Sequence, residues 1–181
     1  LPGLLKLHDT RWGEELQSRP DFARLYPVAG YAIWSQTRTM DEPGTQIVVP
    51  WGYFAGHGHV RAQEQSVLFW ADGTDWSTNT GYWPGDDAPG IDASGGWDGG
   101  NGPHLVGESA EPLRHTEFLG YAHTSDLRRL DLERKGVQGP TIRQQVVQVG
   151  ATSWIVLDTY ADAQKRPLCT LWTAAPEAQV K

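Results

Sequence analysis

The chain has 181 residues, a formal net charge of −7 and 20% charged residues. A domain of this length buries roughly 70% of the surface that its unfolded chain exposes, so it needs neither a disulfide nor a metal ion to fold. The negative charge argues against general nucleic-acid binding, which requires a basic face. No apolar run approaches the ~20 residues of a membrane span.

Glycine, proline and tryptophan are unusually frequent. The 21 Gly and 12 Pro are typical of a chain with many turns, and 9 Trp is several times the usual number. The single cysteine, Cys169, cannot form an internal disulfide, which leaves the redox compartment open. The apolar part of the first residues is too short and too charged for a signal peptide. We expect a periplasmic or secreted protein whose signal peptide is not part of this chain.

Residues 1–25 are predicted to form a partly helical lead-in or linker, because Asp9 or Thr10 can cap a helix and Pro20 ends it. From Tyr26 onward apolar and polar residues alternate with period two, which predicts strands. We expect them at 29–37, 46–50, 66–71, 75–79, 104–108, 117–123, 127–133, 141–149, 153–160 and 168–172. The alternation at 127–133 is imperfect, so a helical turn is an alternative there.

Two turns predict hairpins. Asp72-Gly73 is typical of a tight two-residue turn, and Gly150-Ala151 separates two strongly alternating runs. Short strands about ten residues apart, with turn signals between them, predict an antiparallel sandwich or barrel. The expected organisation is one domain at 26–181 after the lead-in.

Histidines are the first candidates for chemistry. Gly56-His57-Gly58-His59 places two imidazoles on one face of a strand, where both reach one ligand or one metal ion. His104 opens a later strand and is a third candidate. Zinc sites use three or four ligands. The other histidines are interpreted as ordinary solvated or packed side chains: His8, His115 and His123.

Residues 80–103 lack any periodicity, and loops of this length are usually functional or mobile. Trp83 and Trp97 lie in this loop with little core to join, so we expect them to contact a ligand, together with Tyr53. Aromatic rings of this kind stack on the apolar faces of sugars. Trp70 and Trp154, within apolar runs, are assigned to the core. The aspartates of the loop do not have the spacing of an EF-hand, which leaves calcium as a minor alternative.

The order of these motifs resembles a known family. A strand at AGY is followed by GYFAGHGH, SVLFWADG, DW, NTGY, a variable loop, PHLVGES, a hairpin with VLD, and LWTAAP. Over residues 26–177 this succession is similar to the C-terminal β-sandwich of the heparinase II/III-like polysaccharide lyases, a group that includes alginate lyases. The resemblance implies an all-β antiparallel β-sandwich. It also implies a preceding α/α toroid, supplied by the same or a second chain, and an anionic polysaccharide or oligosaccharide bound between the two domains.

The resemblance also implies roles for individual residues. His57 matches the histidine that faces the cleft, and Tyr82 and Arg61 are further catalytic candidates for β-elimination. The implied Zn²⁺ ligands are His59, Asn79 and His104. Three departures stand out: Arg61 replaces an acidic residue, Asn79 replaces an aspartate, and SGGWDGGNG replaces an Arg/Tyr-rich segment before His104.

The sequence therefore predicts the β-sandwich portion of a lyase that cleaves a uronate-containing polysaccharide and is inactive without its toroid. The segment LWTAAPEAQVK resembles a mid-sandwich strand, so we also expect the sandwich to be truncated at its C-terminal end. The alternative is a non-catalytic carbohydrate-binding or structural β-sandwich. A metal-dependent hydrolase is a third hypothesis, but it lacks an acidic partner at convincing spacing.

Overall fold

The computed structural model describes residues 22–36, 44–52, 61–79, 95–110, 114–136, 139–150 and 153–174. These residues form eleven strands. The strands are β1 Phe22–Tyr26, β2 Tyr31–Ser35, β3 Thr45–Pro50, β4 Leu68–Ala71, β5 Thr74–Ser77, β6 His104–Leu105, β7 His115–His123, β8 Leu127–Lys135, β9 Thr141–Val149, β10 Ser153–Ala161 and β11 Leu168–Cys169. Within these ranges no helix has the length and apolar character needed to cross a membrane.

The strands form two large sheets and one small one. The first is a five-stranded meander in the order β1-β2-β3-β4-β5, and the second has the order β10-β9-β8-β7. Strands β6 and β11 form a separate two-stranded ladder. Neighbouring strands in all three sheets are antiparallel. The predicted all-β antiparallel fold is confirmed.

The core lies between the two large sheets. Alternate residues of each strand point inward, as period two requires. On the first sheet, Ala32 pairs with Val49 and Trp34 with Ile47. All four residues belong to a buried cluster that also contains Leu130, Leu132 and Val146 of the second sheet. The two sheets therefore pack as a sandwich.

Aromatic rings bridge the sheets. Trp34 of β2 stacks on Trp154 of β10 with ring centroids 5.2 Å apart. Trp51, which follows β3, stacks on Phe118 of β7 at 5.8 Å. Such pairs add about 0.5–1.5 kcal/mol beyond the area that they bury. Trp70 is buried and Trp154 packs against the cluster, which confirms their assignment to the core.

The two predicted hairpins are confirmed. Asp72 and Gly73 adopt φ values of 48° and 83°, which are typical of a type I′ turn, and they join β4 to β5. Strands β9 and β10 pair along their whole length, from Thr141 opposite Ala161 to Val149 opposite Ser153.

Two strand boundaries and one alternative differ from the sequence-based expectation. Strand β1 begins at Phe22, so the predicted boundary between 25 and 26 falls within a strand that pairs with β2. The helical alternative at 127–133 is wrong, because β8 pairs on both sides. Strand β6 is shorter than expected: a turn follows it, in which Glu108 N–H donates to the Leu105 carbonyl at 2.8 Å.

Gly30 occupies a position that accepts no side chain. Its φ is 77°, and its carbonyl accepts the N–H groups of Trp51 and Gly52 at 2.7 and 3.0 Å. A Cβ atom there would lie 2.2 Å from the Gly52 Cα. Gly73 also has a positive φ, but a Cβ atom added to it would meet nothing within 4 Å.

We therefore expect Gly30→Ala to cost at least about 3 kcal/mol of unfolding free energy, because backbone must move against backbone. Gly73→Ala is the matched control, and it should cost only about 1–2 kcal/mol, for its left-handed conformation. Urea unfolding monitored by tryptophan fluorescence measures both values. Equal losses in the two variants would contradict this account of Gly30.

Candidate functional site around His104

The structure describes four of the nine predicted site residues: Arg61, Asn79, Trp97 and His104. The other five lie outside the described residues: Tyr53, His57, His59, Tyr82 and Trp83. The described part of the site surrounds His104. There β6 and the segment before it contact β11 and the chain after it.

His104 is held in one orientation. Its side chain is largely buried, with the residue 8% exposed, and Nδ1 lies 3.1 Å from the Gly102 carbonyl oxygen. A carbonyl only accepts, so Nδ1 carries the proton of this bond and Nε2 of the neutral ring keeps its lone pair. Among the described residues Nε2 has no hydrogen-bond partner. Metal-binding histidines show this arrangement, with the other ring nitrogen donating to a carbonyl.

Trp97 supports His104 from one side. It lies in the 3₁₀ turn Trp97–Gly99 and is 5% exposed. Its ring stacks on the His104 imidazole at 5.4 Å with an interplanar angle of 7°. The expectation that Trp97 has little core to join is wrong, because the turn folds the ring inward. The ring positions the histidine rather than offering an open face to a sugar.

A buried ion pair fixes the strand that carries His104. The Arg134 guanidinium of β8 contacts both carboxylate oxygens of Glu108, and its Nη2 also donates to the Pro103 carbonyl at 2.7 Å. Glu108 in turn accepts the Leu105 N–H at 2.9 Å. Arg134 therefore ties both ends of the 103–108 segment to the second sheet. Its guanidinium carbon also lies 4.3 Å from the centre of the Trp97 ring.

A second buried pair lies on the same tryptophan. Arg114 Nε donates to Glu64 at 3.1 Å, and the Arg114 guanidinium carbon is 5.0 Å from the Trp97 ring centre. Arg114 also bonds the carbonyls of Ala110 and Arg61. The two arginines are both neutralised by carboxylates, so they contribute rigidity rather than a free positive field.

Asn101 joins the neighbourhood of Asn79 to the chain after β11. This buried amide donates to Ser77 Oγ at 2.9 Å and to the Thr78 carbonyl at 2.6 Å. Its oxygen accepts the Thr173 N–H at 2.8 Å. Asn101 therefore links the end of β5, next to Asn79, to the segment before His104 and to the chain after β11. Sequence reasoning missed Asn101, since a single asparagine in a glycine-rich loop gives no local signal.

Two exposed tryptophans flank this region. Trp172 is 54% exposed and Trp76 is 43% exposed. Thr78 and Thr173 form an isolated antiparallel bridge, so Trp172 comes opposite Asn79. Trp76 lies on β5, two residues before Thr78. Trp172 is therefore the exposed aromatic next to a predicted site residue, and sequence reasoning missed it.

The loop between β10 and β11 is held by two aspartates. Hydrogen bonds from Arg166 lower the pKa of Asp162 to about 2, and the Arg166 Nε and Nη2 both lie 3.0 Å from the carboxylate. Burial raises the pKa of the Asp158 carboxyl, and hydrogen bonds from Gln144 and Thr170 offset only part of that effect. The Thr170 contact ties the end of β11 to β10.

Within the described ranges, no group of three or more His, Cys, Asp or Glu side chains is placed to hold a metal ion. The predicted ligand His59 lies outside those ranges. Of the predicted ligands, His104 has one ring nitrogen, Nδ1, bonded to a backbone carbonyl.

No protein-family model matches the chain, and no curated protein matches it, but solved structures do. A heparinase III gene product aligns with a TM-score of 0.63 at 17% identity, covering 77% of this chain and 22% of that chain. The heparan sulfate lyase HepC from Pedobacter heparinus aligns with a TM-score of 0.62 at 11% identity, covering 76% of this chain and 22% of that chain.

At this level of identity the likeness shows the fold. The chain has the fold of the heparinase-type β-sandwich, as the order of its motifs predicts. It spans about a fifth of the length of the solved chains that it matches, since the coverage of each is 22%.

Breaking the Arg134–Glu108 ion pair tests how much this pair contributes to the free energy of unfolding. We expect Glu108→Gln to cost about 3–5 kcal/mol of unfolding free energy, because the Arg134 guanidinium is left buried without its counter-charge. Glu133→Gln removes a carboxylate from an exposed pair with Lys135, 3.8 Å away, and is the matched control. Its cost should stay below about 1 kcal/mol in the same urea titration. Comparable costs would mean that the buried pair does not anchor the segment.

Proposed function

We propose that the chain is the β-sandwich part of a polysaccharide lyase that cleaves a uronate-containing polymer by β-elimination. One observation carries the proposal: the fold aligns over 76–77% of the chain with a heparinase III and with a heparan sulfate lyase. Because the chain spans about a fifth of those proteins, the proposal includes an α/α toroidal domain, in the same or a second polypeptide. The proposed location is the periplasm or the cell exterior.

The proposed chemistry divides between the two domains. A base removes the proton next to the uronate carboxylate, and an acid protonates the leaving oxygen. Cationic or hydrogen-bonding groups stabilise the charge that develops on the carboxylate. From this chain, His57, Tyr82 and Arg61 are the proposed contributors to proton transfer and charge stabilisation. The toroid supplies the remaining groups, and we expect no turnover without it.

The polymer is expected to be anionic, while the chain carries a net charge of −7. Binding therefore depends on local positive charge. Arg114 and Arg134 are buried in ion pairs, so the proposed sources of that charge are Arg61, His57 and the toroid. The substrate class named by the matched structures is heparan sulfate. A panel of uronate polymers, with alginate included, separates the alternatives.

We also propose a Zn²⁺ site made by His59, Asn79 and His104. The Nδ1 bond of His104 to Gly102 fits this role, since it leaves Nε2 as the donor atom. Asn79 is a neutral and weaker ligand than the aspartate that the resemblance leads one to expect. A bound zinc ion would supply structural cross-linking between β6 and the neighbouring segments.

The proposed sugar contacts are Tyr53, Trp83 and Trp172. Trp97 is buried against His104, so its proposed contribution is indirect. Trp172 presents an exposed ring next to Asn79, and an indole of this kind stacks on the apolar face of a sugar ring.

Trp172→Ala should weaken binding of a heparan sulfate oligosaccharide to the intact protein about tenfold, or ~1.4 kcal/mol. Trp76→Ala removes a similarly exposed indole from β5, and it should change the dissociation constant less than about twofold, a free-energy difference under ~0.5 kcal/mol. Isothermal titration calorimetry gives both values. If the two variants behave alike, Trp172 is not a sugar contact.

The lyase activity itself is tested in the longest natural polypeptide that carries this sequence. On the matching uronate polymer, ultraviolet absorbance of unsaturated uronate ends should increase with time. His57→Ala should lower that rate at least about 100-fold, as loss of a proton-transfer group does. His115→Ala, an exposed histidine of β7, is the control and should retain full activity. Absence of unsaturated product from every polymer in the panel would overturn the proposed function.

A further inference from the structure

His104 and the only cysteine of the chain are cross-strand neighbours. In the β6–β11 ladder, His104 pairs directly with Cys169, and Leu105 with Leu168. Directly opposed residues of an antiparallel ladder place their side chains on the same face, with Cβ atoms about 4.5–5.5 Å apart. The imidazole and the thiol therefore project side by side, although they are distant in sequence.

Two observations point to a shared ligand. His104 is 8% exposed, and its Nε2 has no hydrogen-bond partner among the described residues. Cys169 is a free, half-buried thiol beside it. The proposed zinc ligands, His59, Asn79 and His104, also lack an anionic member. Zinc sites are commonly completed by thiolate, with a Zn–S distance of ~2.3 Å against ~2.0–2.1 Å for Zn–N.

We propose that Cys169 is a ligand of the divalent metal ion that His104 binds through Nε2. The inference rests on the proposed zinc site and changes its composition, since a thiolate takes the place of the missing carboxylate. On binding, the metal–sulfur bond forms as the S–H bond breaks, and the proton is released to solvent. Neither sulfur nor metal changes oxidation state.

The strand that carries Cys169 is fixed at both ends, as a ligand strand should be. Before it, the Pro167 carbonyl accepts the Val106 N–H at 3.0 Å. After it, Thr170 bonds Asp158, and the Thr173 N–H donates to the buried Asn101. On the other strand, Trp97 and the Gly102 carbonyl hold the His104 ring. Both donor atoms are thus carried on restrained backbone.

Cobalt(II) added to the intact, reduced protein tests the proposal. Cys169 is the one cysteine of this sequence, and any thiol of the proposed toroid is present in both the unmodified protein and Cys169→Ser. The difference between their near-ultraviolet spectra therefore reports cobalt–thiolate charge transfer to Cys169. We expect this band in the unmodified protein and its loss in Cys169→Ser. We also expect at least a tenfold rise in the Co²⁺ dissociation constant, or ~1.4 kcal/mol. Asn79→Ala should keep the band.

Thiol reactivity, compared between the unmodified protein and Cys169→Ser, gives a second measurement. Zn²⁺ should slow the reaction of Cys169 with Ellman's reagent, while Mg²⁺, which prefers oxygen ligands, should not. Cobalt binding with no thiolate band and unchanged affinity in Cys169→Ser would overturn the role of the cysteine while leaving a zinc site intact. Absence of any bound cobalt would overturn both, and the assay of unsaturated uronate ends would still judge the lyase proposal separately.

Discussion

The buried ion pair between Arg134 and Glu108 is the constraint on which the arrangement of the site depends. Hydrophobic burial brings the two large sheets together, but it does not fix a two-residue strand such as β6. Arg134 projects from β8, and its contacts with Glu108 and the Pro103 carbonyl hold the segment around His104 against the second sheet. Removing one partner of such a pair leaves the other charge buried without compensation.

Around that pair, polar and aromatic contacts fix the positions of the loops. In the core between the two large sheets, apolar packing does so. Trp97 contacts both the guanidinium of Arg134 and the imidazole of His104, and so it couples the ion pair to the ring. Asn101 satisfies backbone groups on the two segments that the Thr78–Thr173 bridge brings together. Most buried polar groups need a bonded partner, and these contacts supply one for most of the site, although Arg134 Nε and Glu64 Oε2 have none among the described residues.

The likeness to heparinase-type structures shows the fold, and two side chains of this sequence bear on the proposed metal site. An asparagine stands where a carboxylate is expected, and a cysteine faces His104 from the neighbouring strand. In the proposed metal site, the thiolate of Cys169 takes the place of that carboxylate. The lyase proposal and the metal proposal are otherwise independent, since the proposed proton transfer involves His57, Tyr82 and Arg61 rather than the metal.

The sequence by itself predicted most of the strands, two hairpins and the sandwich class. Period-two alternation and turn residues such as Asp72-Gly73 determine the conformation of a few neighbouring residues. They can therefore be recognised from the sequence alone. The burial of Trp97, the role of Asn101 and the pairing of His104 with Cys169 were decided only by the tertiary structure. Each depends on contacts between segments far apart in the chain. The register of a two-residue ladder cannot be predicted from a local sequence pattern, because hydrogen bonds and ion pairs from other strands determine it.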